Sequence, residues 1–108
     1  MTTPVYSTQF FAQGPSTTTN YTVPTPGTVV LRWLTAVNND TGGVHSYTLQ
    51  LINPTIPIIQ DNVSANSFTA VLVSVMRELR VVIRAGQTVQ LVTGASMYCT
   101  VSGYLFTT

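Results

Sequence analysis

The chain has 108 residues, of which 6% are charged: four arginines, three acids and no lysine, for a net charge of +1. About a quarter of an average soluble domain is charged, so this composition leaves no basic stripe for nucleic acid, and no stretch approaches the roughly 20 apolar residues of a membrane span. The single Cys99 excludes an internal disulfide, and one domain of this length can bury enough surface to fold without one.

Residues 1 to 20 are rich in Thr, Ser, Gln and Pro, with Val5, Tyr6, Phe10 and Phe11 as apolar anchors. Gly14-Pro15 and the polar run to Asn20 break any element there. The segment is therefore either a first strand or an arm that adds a strand to a neighbour, with residues 21 to 108 forming the body of the domain.

Tyr21 to Val23 reads as a short strand closed by Pro24-Thr25-Pro26-Gly27, where proline fixes the backbone and glycine permits the turn. The longest strand follows, from Thr28 to Val37. Strict alternation puts Val29, Leu31, Trp33 and Val37 on one face, and the apolar residues on the other predict a central strand. Asn38 to Gly43 is a strong turn signal. His45 to Ile52 then alternates again, with Leu49 and Leu51 inward, and the two strands predict a hairpin.

Pro54 and Pro57 bar the next segment from the middle of a sheet. Ser67 to Val75 reads as extended around Val71-Leu72-Val73, and Val75 to Leu79 as an irregular connection. Arg80 to Phe106 is three strands separated by glycine turns, with Val89 and Leu91 inward on the second and Cys99, Val101 and Leu105 sharing a face of the third. About eight or nine short strands with turns at intervals of roughly 8 to 12 residues predict an all-β, single-domain antiparallel β-sandwich, jelly-roll-like. Its expected core is Val29, Leu31, Trp33, Val37, Leu49, Leu51, Val89, Leu91, Val101 and Leu105.

Chemistry has little to work with. Asp40, Asp61 and Glu78 fall in expected turns, far apart in sequence, and with His45 and Cys99 they show none of the close spacings of a metal site. No nucleophile elbow is present. The expectation is no catalytic residue, no metal and no cofactor. A surface of Thr, Ser, Asn and Gln with few repelling charges is poorly protected against association, which points to a surface covered by neighbours, including copies of the chain itself. A carbohydrate-binding module is the alternative from another class, presenting Tyr6, Tyr21, Trp33, Tyr98 or Tyr104 to a sugar.

Three motifs occur in order: VPTPG at Val23 to Gly27, the apolar strand VVLRWLTAVNN, and VVIRAGQTVQLVTGASMYCTVSGYLFTT at the carboxyl end. In this the chain resembles the small all-β structural proteins of tailed bacteriophages, particularly phages of actinobacteria, over about residues 21 to 106. The resemblance implies a non-enzymatic virion protein made in the host cytoplasm. Foremost is a capsid decoration protein that binds the major capsid protein, or another virion protein, and its own copies. A minor tail or head-tail component is the alternative, and a host glycan is a further partner. If a capsid-binding arm exists, Val5, Tyr6, Phe10 and Phe11 are its expected anchors.

Overall fold

The computed structural model describes residues 5–64 and 74–107. Its strands are β1 (Val5–Gln13), β2 (Thr18–Thr22), β3 (Thr28–Asn38), β4 (His45–Ile52), β5 (Ile56–Val63), β6 (Ser74–Arg84), β7 (Thr88–Thr93) and β8 (Met97–Phe106). They form two four-stranded antiparallel sheets, the first ordered β1-β8-β3-β6 and the second β2-β7-β4-β5. Among the described strands only β4 and β5 follow one another within a sheet; every other consecutive pair lies in opposite sheets, as in jelly-roll wrapping. The all-β sandwich expected from the turn spacing is the architecture found.

The crossing at Asn38 replaces the hairpin expected between β3 and β4, whose strands lie in opposite sheets. Turn residues signal a reversal without specifying its partner, and here the reversal passes over the end of the core. Asn38 is buried and holds it there. Its amide nitrogen donates to the carbonyls of Gly43, Val63 and Ser64 at 2.9, 3.0 and 3.2 Å, and its oxygen accepts the Asp40 N–H at 2.9 Å. Asn38→Ala leaves these backbone groups unpaired and should lower unfolding free energy by about 2 kcal/mol in a urea titration.

The core is built from the two inner faces. Val29, Leu31, Leu49, Val89, Leu91 and Val101 are buried as expected, and Leu51 and Leu105 pack against them partly exposed. Trp33 and Val37 depart from expectation. In the β3–β8 register Leu31 faces Gly103 while Trp33 faces Ser102, so Arg32 has no partner and the strand is bulged. The extra residue reverses the alternation. Leu34 and Ala36 turn inward and are buried, whereas Trp33 stands 44% exposed on the outside, with Val37 on the same side.

A second irregularity lies in β1 between Gln9 and Phe11. Phe11 enters the core at 2% exposure, and Phe10 meets Tyr21 of β2 edge-on with ring centroids 5.0 Å apart. These two phenylalanines, expected as anchors for a neighbour, thus serve the chain's own sandwich, closing it where β1 lies over β2. The backbone of Val5 and Tyr6 pairs with Phe106 and Leu105 of β8; their side chains lie outside the described residues.

β6 begins earlier than the sequence suggested. Val75 to Leu79 is strand, not an irregular connection, and pairs with β3 from Ser74 to Arg84. Its period of two places Leu79, Val81 and Ile83 toward the core, and pairing with β3 outweighs the helical propensity of Met76-Arg77-Glu78-Leu79. The apolar centre Val71 to Val73 lies outside the described residues. Similarly, β2 starts at Thr18, so the break after β1 is confined to Gly14–Thr17. At the far edge Arg77 reaches across to Asp61 of β5 at 2.7 and 2.9 Å, and Tyr47 donates its hydroxyl to the same carboxylate at 3.3 Å.

Candidate functional site

Among the described residues the three acids are dispersed, each engaged with different basic side chains. Asp40 and His45 meet at 2.7 Å in the β3–β4 turn. The Gly42 N–H, followed by the His45 side chain, holds the Asp40 carboxyl below its ordinary value. Among the described residues no hydroxyl or thiol is hydrogen-bonded to His45, and no three of His, Cys, Asp and Glu converge to hold a metal ion. The Cys99 thiol is buried and pushed up to about 12 by desolvation, which keeps it protonated and inert at neutral pH. Asp61 is held by Arg77 and Tyr47, and Glu78 lies 3.6 Å from Arg32 and 3.3 Å from Arg80.

What distinguishes the molecule is the contrast between its two outer faces. Across the second sheet, Gln90 donates to Asn20 at 3.0 Å and Gln50 donates to Gln90 at 2.8 Å, while the Thr22 and Thr88 hydroxyls share a hydrogen bond of 2.8 Å. That face is largely polar, and these side chains bond to one another. The first sheet carries five of the seven exposed large apolar side chains among the described residues: Trp33, Met76, Val82, Tyr98 and Tyr104. The other two, Val44 and Ile56, stand apart at the β3–β4 turn and the start of β5.

Strand register places the five on one surface. Val82, Val30 and Tyr104 form a row across β6, β3 and β8; Glu78, Trp33 and Ser102 form another; Met76, Thr35 and Thr100 a third; and Val37 faces Tyr98. Beside Tyr98 lies a shallow depression of about 340 Å³ bounded by Ala12, Thr35, Val37 and Thr100. Met76 and Val82 are 66% and 62% exposed, which is open display of aliphatic surface and not the edge of a core. Of the aromatics considered for sugar stacking, Trp33, Tyr98 and Tyr104 are on this face, Tyr21 is engaged by Phe10, and the Tyr6 side chain lies outside the described residues.

The sequence names those aromatics one by one but not the surface they share. The bulge at Arg32 brings Trp33 out, and the early start of β6 adds Met76. An alternation readable in the chain, Met76-Glu78-Arg80-Val82-Arg84 against Val75-Arg77-Leu79-Val81-Ile83, carries the missing signal once the whole run is taken as a strand.

No protein-family model matches the sequence, and no curated protein matches it. Among solved structures, the chain is similar to the Drosophila NLP core, described in terms of pentamer formation and histone binding. The TM-score is 0.57 with 11% identity, covering 94% of this chain and 96% of that one. A pentameric capsid protein from metagenomic phage sequences gives a TM-score of 0.45 with 23% identity, over 95% of this chain and 62% of that chain. Infectious bursal disease virus strain Gx gives 0.44 with 16% identity, over 96% and 32%. The likeness to the Drosophila core, at so low an identity and over nearly all of both chains, is one of fold: an all-β sandwich of two four-stranded antiparallel sheets.

Proposed function

We propose that the chain is a non-enzymatic structural subunit of a virion, a capsid decoration protein that docks on the shell through the outer face of its first sheet. The observation that carries this reading is the asymmetry of the sandwich, one outer face polar and internally hydrogen-bonded, the other displaying Trp33, Met76, Val82, Tyr98 and Tyr104. An apolar patch rimmed by polar residues is the mark of a protein contact. The scarcity of charge and the sequence resemblance to small phage structural proteins supply the setting. Copies assemble side by side in a closed ring, five being the number for which the Drosophila core of the same fold is described, and a ring multiplies a modest contact per copy into firm attachment.

The test is to purify particles by density gradient from cultures producing the chain. Wild type should band with the particles and give a closed oligomer by native mass spectrometry, and Met76→Asp/Val82→Asp should stay behind while remaining folded. Absence of wild type from every particle fraction overturns the virion assignment; a monomer in solution removes the ring.

Glycan binding is the second reading, favoured by three solvent-facing aromatics on one sheet. Tyr98 and Tyr104 lie six residues apart on β8, about 20 Å at strand rise, and Met76 and Val82 offer no hydrogen bonds to sugar hydroxyls. That lining fits a protein surface better than a sugar.

A further inference from the structure

Pairing of β3 with β6 gathers all four of the chain's arginines on two adjacent strands, although they span residues 32 to 84 in sequence. Arg77 lies on the other side of β6, at the exposed edge of the sandwich, and is paired with Asp61. The other three belong to the docking face. Arg84 lies in register with Thr28 and Phe106 at one end of it, and Arg80 follows on the same side of β6. Arg32, at the bulge, extends to Glu78, which it shares with Arg80. One carboxylate thus serves two guanidinium groups, and among the described residues the Arg84 side chain has no acidic partner. Arg80 is 82% exposed. This half of the face carries an excess of positive charge set around Val82, Trp33 and Tyr104.

A second copy of the chain does not match that surface. Its side-chain carboxylates are Asp40, Asp61 and Glu78, and each is already engaged, by His45, by Arg77 and by the arginines of this same face. Stacking two such faces would also set Arg80 and Arg84 against like charge, which is unfavourable. Resting on the reading of this face as a docking surface, we propose that its partner is a different protein, presenting a segment in which carboxylates alternate with apolar side chains. The carboxylates meet Arg80 and Arg84, Arg forks being suited to bidentate pairing, and the apolar side chains cover Val82, Trp33 and Tyr104.

Trp33 is the chain's one tryptophan and sits within the surface, so its fluorescence reports occupancy directly. The probes are a short synthetic peptide alternating glutamate with valine, its glutamine counterpart, a heparin oligosaccharide and oligothymidylate. The acidic peptide should bind at least about tenfold tighter than the glutamine version at about 0.01 M ionic strength, with the advantage shrinking at about 0.15 M. Arg80→Gln/Arg84→Gln should erase the preference while the melting temperature stays unchanged, since exposed charges of this kind add little to stability. Equal binding of the two peptides overturns the acidic partner but leaves the face as an apolar docking surface. Tighter binding of heparin or oligothymidylate overturns it in favour of an anionic polymer, and no change in Trp33 emission with any probe overturns it outright. Loss of particle banding by the Met76/Val82 variant, measured separately, decides the parent reading.

Discussion

Gly103→Ala should lower unfolding free energy by about 3 kcal/mol, equivalent to a fall in melting temperature of about 15 °C for a domain of this size. Gly103 sits in β8 opposite Leu31, beside the bulge at Arg32. A methyl group there would run into the Val30 carbonyl oxygen and lie 3.0 Å from the Leu31 Cα. The obstacle is backbone, so no rotamer change relieves it. Either β8 separates from β3 or the bulge is lost, and losing the bulge would drive Trp33 into the core and Leu34 out of it. Glycine in a strand interior marks close approach of another backbone, and here it permits the β3 conformation on which both core and outer face depend. Ser102→Ala, one residue away and facing outward with Trp33, should change stability by no more than about 0.5 kcal/mol. Parallel urea titrations followed by Trp33 fluorescence check both; a Gly103→Ala protein as stable as wild type, with unchanged emission, would refute this account of the bulge.

The same bulge explains what could and could not be read from the chain. Alternation inside β4, β7 and β8 is local, and Leu49, Val89, Leu91 and Val101 are inward as the period of two requires. In β3 the period breaks at Arg32, and nothing within VVLRWL marks the break. An extra residue exists only relative to a neighbouring strand, and that neighbour, β8, is about 70 residues further along. The turn at Asn38 to Gly43 was legible as a reversal, but whether it joins neighbours or crosses between sheets depends on Asn38 meeting Val63 and Ser64 of another element. The candidate face follows suit. Its aromatics are conspicuous in sequence, while its existence as a surface depends on the face reversal at Trp33 and on β6 reaching back to Ser74. Its arginines look scattered until β3 and β6 are paired.

Alkaline pH should erode the protein's stability from about pH 9 upward. Desolvation raises the Cys99 thiol from 9.0 to about 12. Burial, helped by the charge of Asp61 and opposed by the Arg77 hydrogen bond, raises the Tyr47 hydroxyl from 10.0 to about 12. Between those limits the unfolded chain releases protons that the folded chain retains. Stability fully present below pH 9 is therefore lost as pH climbs toward 12. The displacements correspond to roughly 4 kcal/mol for Cys99 and roughly 3 kcal/mol for Tyr47, a sum comparable to the whole stability of an ordinary domain, about 5–15 kcal/mol. On the acid side the direction reverses. The Arg77 guanidinium holds the Asp61 carboxyl below 3.8, so its contribution persists above that pH and is lost as pH falls further. Urea titrations followed by circular dichroism across the pH range should give an unfolding free energy with a plateau bounded by these two declines. Cys99→Ala separates the alkaline components: it is less stable than wild type at pH 7 because a core group is missing, yet its alkaline decline begins about one unit later, where Tyr47 alone remains. A wild-type unfolding free energy that stays unchanged through pH 11, or a Cys99→Ala decline that starts where wild type's does, would show that the buried thiol does not couple folding to pH.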